Sequence, residues 1–255
     1  MLKKSLVSLL VIFGSVAVLS SCALYKHRTQ NSAVIAGATS SNGEINDEQG
    51  GAYDFATITN IGVVPEPDAL GAAAIQADGK IITGGWSIAD PSGGYNFALV
   101  RYNADGSLDF KFGKNGKVLT DVKNGSSDFI SAIAVQQDAK IVVAGNSNAV
   151  APGDPEGSNR DSFAVARYNA DGTLDTSFGT AGIVITDAGN GSNTDRATSL
   201  VIQSNGKIVV GGYSYFDGYN DFTVVRYNSN GTLDDSFGQN GVVQTNIEGN
   251  STNMI

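Results

Sequence analysis

Two segments of the chain place side-chain oxygens at alternate positions around a glycine, a pattern that can bind calcium. They span residues 103–109 and 169–175. A calcium loop supplies six to eight oxygens and ends on a bidentate glutamate, which neither segment has. Asn and Asp side chains also bond the local backbone in hairpin turns, where glycine takes a positive φ. We favour such turns and predict neither a metal site nor a cofactor; calcium binding at the Asp-Gly turns is the open alternative.

Residue types that perform most enzyme chemistry are scarce. The single histidine, His27, and the single cysteine, Cys22, both lie near the N-terminus. The sequence has no zinc-ligand spacing, no phosphate-binding loop and no nucleophile elbow. A net charge of −9 also disfavours nucleic-acid binding, which needs a basic surface. We predict that the protein is not an enzyme and that nucleic acid is not a partner.

A further set of charged side chains recurs in register. Arg101, Arg167 and Arg226 each open an Arg-Tyr-Asn tripeptide, and an aspartate follows each one: Asp109, Asp175 and Asp234. Guanidinium and carboxylate groups form bidentate ion pairs, so we predict a pair within each repeat rather than a ring of cationic ligands. Phenylalanines recur with the arginines and are predicted to form the core between neighbouring repeats. They are Phe97, Phe112, Phe163, Phe178, Phe222 and Phe237.

These residues belong to a unit of roughly 60 residues that occurs three times. Within each unit, apolar and β-branched stretches alternate with Asx-containing and glycine turns, one of them predicted as a two-residue hairpin, which indicates four short strands. No segment has a helical period. Four strands per repeat match a β-propeller blade, whereas solenoid repeats are shorter and a sandwich would not repeat at this length. We therefore predict an all-β, propeller-like array of three four-stranded antiparallel blades, near residues 70–122, 130–188 and 197–247.

The repeated motifs resemble those of the delta-60 repeat family of bacterial surface and secreted proteins. In the first copy they are Gln76-Ala-Asp-Gly-Lys80 and Arg101-Tyr-Asn-Ala-Asp-Gly-Ser-Leu-Asp109 with Phe112-Gly113. The resemblance covers residues 70–247 and departs from the pattern where Ala139 replaces a turn glycine and Asn230 a turn aspartate. It implies a β-propeller fold, and it implies no settled biochemical activity.

Residues that break the repeat are the better candidates for function, because the fold does not require them to be alike. Trp86, Tyr95, Tyr213 and Tyr215 depart from the repeat and fall in equivalent loops. Aromatic and Asn/Asp-rich loops suit stacking on sugar rings, so we predict a non-catalytic binding or scaffolding surface for a carbohydrate or protein partner. Three alternatives stay open: simple loop variation, a propeller enzyme of lyase or lactonase type with channel carboxylates, or a truncated remnant without its own activity.

The N-terminus resembles a bacterial lipoprotein signal. Lys3 and Lys4 precede an apolar stretch at 6–19, which is too short to span a bilayer, and Leu-Ser-Ser leads to Cys22. The resemblance implies that residues 1–21 are a signal peptide and that Cys22 carries lipid (including palmitate) that anchors the exported protein to the membrane of the cell envelope. Ala23 favours the outer membrane where the host has one. Residues 22–52 are predicted to be a flexible tether, and residues 53–255 the repeat domain.

The number of blades raises the question of ring closure. Propellers close with four to eight blades, and residues 61–64 resemble only a decayed outer strand of an earlier blade. Three blades are too few, so a homodimer that completes a six-bladed ring is one expectation. An open array and a fragment of a longer original are the others.

Overall fold

The computed structural model of the chain describes residues 59, 61, 68–88, 94–123, 125–148, 160–189, 194–216 and 219–246. These residues form twelve strands and no helix, so the predicted all-β class is confirmed. In this described part, no helix is long and apolar enough to cross a membrane. The predicted signal peptide, Cys22 and the tether lie outside the described residues.

The strands form three separate four-stranded antiparallel sheets, each in chain order. Blade 1 consists of β1 (Ala69–Ile75), β2 (Ile81–Ile88), β3 (Tyr95–Tyr102) and β4 (Lys117–Thr120). Blade 2 consists of β5 (Asp128–Val135), β6 (Ile141–Ser147), β7 (Ser162–Tyr168) and β8 (Ile183–Thr186). Blade 3 consists of β9 (Asp195–Ile202), β10 (Ile208–Phe216), β11 (Tyr219–Tyr227) and β12 (Val242–Thr245). Among the first strands of the blades, β1 contacts β5 and β5 contacts β9, as neighbouring inner strands around a propeller axis do.

The hairpin between the first two strands of each blade has three loop residues, not the two that we predicted. In blade 1 the N–H of Gln76 donates to the carbonyl of Lys80, and the N–H of Gly79 donates to the carbonyl of Gln76. Gly79 has a φ of 81°, and a left-handed residue at this point is typical of three-residue hairpin loops. Ala139 holds the same position in blade 2 with a φ of 63°. The turn glycine is therefore replaced in blade 2 without a change of turn geometry.

The sheets pack face to face through two apolar cores. Phe97 and Phe112 are fully buried between blades 1 and 2, and Phe163 and Phe178 are fully buried between blades 2 and 3. Phe222 and Phe237 were expected to be core residues as well, but they are only half-buried. Their face of blade 3 has no following blade among the described residues. Four of the six predicted phenylalanines thus form the core between neighbouring blades.

Hydrogen bonds repeat at both blade boundaries. The Tyr168 hydroxyl bonds Thr120 Oγ1 of the preceding outer strand at 2.8 Å, and Tyr227 and Thr186 make the same contact at 2.8 Å. The first residue of each inner strand reaches back as well. Asp128 Oδ2 accepts the N–H of Val122 at 2.8 Å, and Asp195 Oδ2 accepts the N–H of Ala188 at 2.7 Å.

Blade 1 makes the same contacts with residues that precede it. The Tyr102 hydroxyl donates to Thr59 Oγ1 at 2.8 Å, and Asp68 Oδ2 accepts the N–H of Ile61 at 2.6 Å. Thr59 thus holds the position of the last residue of an outer strand, and Ile61 lies beyond that end. The prediction that a decayed outer strand starts at residue 61 was misplaced; residues 62–64 lie outside the described residues.

Candidate functional site

Each inner strand contains a β-bulge at the same repeat position. The pairing with the second strand skips one residue in each blade: Gly71, Ser131 and Thr198. A bulge leaves its extra residue unpaired, bends the strand and changes the direction of the neighbouring side chains. The first residues of each inner strand, which precede the bulge, therefore run in a different direction from the rest of the strand.

A glycine of the second strand makes room for each bulge. A Cβ atom on Gly145 would lie 1.8 Å from the carbonyl oxygen of Phe129, which is far inside van der Waals contact. The equivalent distances are 1.7 Å from Gly85 to the Ala69 oxygen and 2.0 Å from Gly212 to the Arg196 oxygen. The glycine that ends the repeated Lys-Ile-x-x-x-Gly motif is thus required by the close approach of two backbones.

Three aromatic rings meet where blade 1 packs on blade 2. Trp86 and Tyr95 are in edge-to-face contact with ring centroids 4.5 Å apart, and Phe129 lies 5.9 Å from Trp86 and 5.4 Å from Tyr95. Such contacts contribute about 0.5–1.5 kcal/mol per pair beyond area burial. Trp86 and Tyr95 are half-buried, so the cluster still presents ring surface to solvent.

A cleft of about 370 Å³ lies beside this cluster and extends over all three blades. Its walls include the three bulge residues and the residue that follows each bulge glycine, namely Trp86, Asn146 and Tyr213. Phe129 and Arg196 complete it from the inner strands. Ligand pockets typically measure about 300–1,000 Å³ and combine aromatic surface with a few polar groups. The cleft has both the size and the composition of such a pocket.

Arg196 supplies the positive charge of the cleft. Its Nη2 lies 3.1 Å from Asp161 Oδ2, and its side chain is half exposed. An exposed ion pair of this kind contributes little to stability. Arg196 Nε also donates to Asp161 Oδ2, at 3.2 Å, so two guanidinium nitrogens contact one carboxylate oxygen while half of the side chain stays exposed.

The four aromatic residues that the sequence singled out were predicted in loops, but all of them lie in strands, in β2, β3 and β10. The structure brings three of them together. Trp86 and Tyr95 are in contact, and Tyr213 lines the same cleft as Trp86. Tyr215 lies two residues further along β10, exposed, and it is not among the residues that line the cleft. Phe129 and Arg196 were not predicted, because their repeat position holds Ala69 in blade 1 and so carries no recurrent signal.

The Asp-Gly turns use their carboxylates locally. Asp171 Oδ1 accepts the backbone N–H of Thr173 at 2.9 Å and its hydroxyl at 2.7 Å. These hydrogen bonds lower the pKa of Asp171. Asn230 accepts the same two bonds in blade 3 without a charge. No group of three or more His, Cys, Asp or Glu side chains able to hold a metal ion occurs in the part of the chain that the structure describes.

The repeated arginines form ion pairs within each blade, although not as bidentate forks. Arg167 Nε donates to Asp175 Oδ2 at 2.7 Å, and the guanidinium lies 4.6 Å from the ring centre of Phe178. Lys140 lies 3.0 Å from the same carboxylate oxygen, while Ser177 donates to the other one. Burial raises the pKa of Asp175, but the hydrogen bonds from Ser177 and Lys140 outweigh it and hold the pKa well below its usual range.

The arginine Nη1 groups cross the blade boundaries. Arg101 Nη1 donates to the carbonyl of Ala170 at 2.5 Å, and Arg167 Nη1 donates to the carbonyl of Ser229 at 2.6 Å. The same turns accept a second bond at each boundary, from Gly113 N–H to the Asp171 carbonyl and from Gly179 N–H to the Asn230 carbonyl. Each arginine thus ties its own blade together and fastens it to the next one, which is a structural role.

A comparison with protein families found one family model that resembles the repeat. Three segments match the family model described as "Domain of unknown function (DUF5122) beta-propeller", at residues 76–112, 136–178 and 203–237. Each segment runs from the glutamine at the start of the first hairpin to the phenylalanine that stacks on the arginine. Among curated proteins, no match to the chain was found. The three sheets are therefore similar to the blades of this β-propeller family, and the described residues form an unclosed, partial propeller.

Proposed function

We propose that this protein is a delta-60 repeat lipoprotein that acts as a non-catalytic binding module at the bacterial cell envelope. The observation that supports its binding role is the cleft in which Trp86, Tyr213, Asn146 and Arg196 converge at the bulged ends of three blades. The lipid anchor on Cys22 is proposed from the sequence alone.

A carbohydrate chain is the ligand class that suits these side chains best. Aromatic faces stack on the C–H faces of sugar rings, and Asn146 and Arg196 offer an amide and a guanidinium to hydroxyl or carboxylate oxygens. The cleft runs across three blades rather than ending in a closed cavity. An elongated ligand, such as a polysaccharide or an extended protein segment, can therefore lie along it.

The carboxylates next to the cleft are engaged in the fold. Asp128 and Asp195 directly precede the cleft residues Phe129 and Arg196, and both accept backbone N–H groups of the preceding blade. Burial raises the pKa of Asp128. These contacts support a structural role for the two groups and favour binding over acid–base catalysis by channel carboxylates.

A glycan-array screen of the purified protein tests the binding role. For any glycan detected, Trp86→Ala and Tyr213→Ala should each weaken binding about tenfold or more, since each removes a stacking surface. Phe110→Ala is the matched control, because Phe110 is 70% exposed and does not line the cleft. Tyr215→Ala shows whether the surface extends beyond the cleft. Unchanged binding in both cleft variants, with the fold intact, would place the binding surface elsewhere.

The anchor has its own test. Cells that express the chain are labelled with palmitate, and the label should enter the wild-type protein and be lost in Cys22→Ala, which should leave the membrane fraction or accumulate as precursor. Equal membrane association of both forms without label would contradict the anchor. Neither outcome depends on the ligand experiment.

A further inference from the structure

Each end face of the array, meaning the face of blade 1 that no blade precedes and the face of blade 3 that no blade follows among the described residues, has a large exposed apolar side chain. Leu70 is 50% exposed on blade 1, whereas its counterparts Ile130 and Ala197 are buried by the preceding blade. Val201 is 59% exposed on blade 3, and its counterpart Ala74 packs against the core between blades 1 and 2. Contiguous exposed apolar surface marks interaction sites. We call the face of blade 1 that contains Leu70 the first face and the face of blade 3 that contains Val201 the last face. Together they correspond to the two sides of a boundary between neighbouring blades.

Blade 3 presents the donor half of that boundary. At the two internal boundaries, the arginine Nη1 and the N–H of the glycine after the stacked phenylalanine donate to the next blade. The equivalent groups of blade 3 are Arg226 Nη1 and Gly238 N–H, and no described residue accepts from either of them. Phe222 and Phe237 lie half-buried on the same face.

Blade 1 presents the acceptor half. The carbonyls of Ala104 and Asp105 stand at the repeat positions of Ala170 and Asp171, which accept from blade 1 at the first internal boundary. Tyr102 stands at the position of Tyr168. The two ends of one chain therefore offer the donors, acceptors and apolar side chains that join its own blades.

Part of the acceptor half is already occupied by the chain itself. Thr59 and Ile61 bond Tyr102 and Asp68 as an outer strand does, and they line a small cavity of about 50 Å³ on this face. The tripeptide Thr59-Asn60-Ile61 is identical in sequence to Thr245-Asn246-Ile247, in which Thr245 ends the outer strand of blade 3. Thr59 and Ile61 therefore make the contacts that the end of an outer strand makes, and they share their sequence with the end of the last outer strand.

We infer that the last face of blade 3 binds the first face of blade 1 in a second copy of this chain, and that Thr245 then replaces Thr59 as the partner of Tyr102. Two such contacts related by a two-fold axis close six blades into a ring, which lies within the range in which propellers close. Thr59 competes with the second copy, so it lowers the affinity between copies. This inference does not depend on the ligand of the cleft.

Sedimentation velocity across a concentration series tests the inference with the full chain in a Cys22→Ser background. Val201→Asp puts a charge on the last face and should weaken dimerisation by more than tenfold. Thr59→Val removes a hydrogen bond that only the monomer makes, and it should tighten dimerisation about fivefold, which corresponds to about 1 kcal/mol. Phe110→Asp is the matched control, since Phe110 is exposed and its counterpart Thr176 stays exposed in blade 2, which has a neighbouring blade on both sides.

Crosslinking gives a second reading that does not need a stable dimer. The Gly113 N–H donates to the Asp171 carbonyl across the boundary between blades 1 and 2. The double variant Lys114→Cys with Asp171→Cys, treated with a short bismaleimide, therefore serves as the positive control within one chain. The equivalent pair at the ends is Gln239→Cys with Asp105→Cys, and it should yield covalent dimers. If wild type and Thr59→Val stay monomeric at every concentration, or if only the positive control crosslinks, the inference is wrong.

Discussion

Blade 2 and blade 3 have the same motifs and differ greatly in burial. Every residue of β6 and β7 is buried, whereas in β11 buried and half-buried residues alternate. Phe163 and Val165 are fully buried, and their counterparts Phe222 and Val224 are not. Because each blade contacts only its neighbours, the burial of a repeated residue is decided by what lies next to its blade.

The arginines show which contacts belong to a blade and which belong to its neighbour. Arg167 and Arg226 both bond their own aspartate through Nε and both stack on their own phenylalanine. Of these two arginines, Arg167 alone has a carbonyl partner for Nη1 among the described residues, and its side chain is 8% exposed against 21% for Arg226. The ion pair between arginine and aspartate therefore forms without a following blade, whereas the hydrogen bond from Nη1 needs a carbonyl of the following blade.

The largest expected difference between the two blades is in the stacked phenylalanines. Phe178→Ala should lower the free energy of unfolding by about 3–5 kcal/mol, because it opens a cavity in a closed core. In the monomer, Phe237→Ala should cost only about 1–2 kcal/mol, since this ring is half-buried and its site stays open to water. Urea unfolding of the two variants measures both values. Equal losses would mean that the last face of blade 3 is covered in solution.

A smaller difference is expected in the tyrosines at the blade boundaries. Tyr168→Phe leaves Thr120 Oγ1 buried without its donor and should cost about 1–2 kcal/mol. Tyr102→Phe removes the bond to Thr59, which is only partly buried, and should cost less. The same unfolding assay compares them. A loss in Tyr102→Phe that equals or exceeds the loss in Tyr168→Phe would show that the hydrogen bond to Thr59 contributes at least as much stability as the one across a blade boundary.

The smallest expected effect is a gain in blade 2. Ala139 has a φ of 63° where blades 1 and 3 have Gly79 and Gly206, both at 81°. A left-handed backbone is strained for alanine and free for glycine, so Ala139→Gly should raise the melting temperature and stabilise the fold by about 1 kcal/mol. Gly206→Ala is the reciprocal control and should destabilise by a similar amount. A loss of stability in Ala139→Gly would contradict this account.

The regular part of the fold could be predicted from the sequence because strands and turns repeat three times. Arg101, Arg167 and Arg226 fixed the register, and the β-branched stretches between turns predicted the four strands. The internal aspartate partner of each arginine followed from the same repetition. The acceptor of Nη1 could not be predicted, since it is a backbone carbonyl of another blade and any residue type supplies one.

The cleft was only partly predictable. Trp86, Tyr95 and Tyr213 stood out because they break the repeat, whereas Phe129 stands at a position that varies from alanine to arginine and gave no signal. The bulges were also not predicted, although the recurrence of glycine at 85, 145 and 212 is a sequence signal for close approach of the backbone at this position. The contact of Thr59 could have been found by aligning Thr59-Asn60-Ile61 with Thr245-Asn246-Ile247.

The bulge glycines separate the positions that must stay constant from those that are free to vary. Glycine occupies all three second strands at this point, yet the facing inner-strand residues are Ala69, Phe129 and Arg196. The next positions, Trp86, Asn146 and Tyr213, are equally unlike one another. A gene that duplicates or exchanges blades can therefore diversify this end of the array without altering its core. The side chains that line the cleft can change from blade to blade while the same scaffold is inherited.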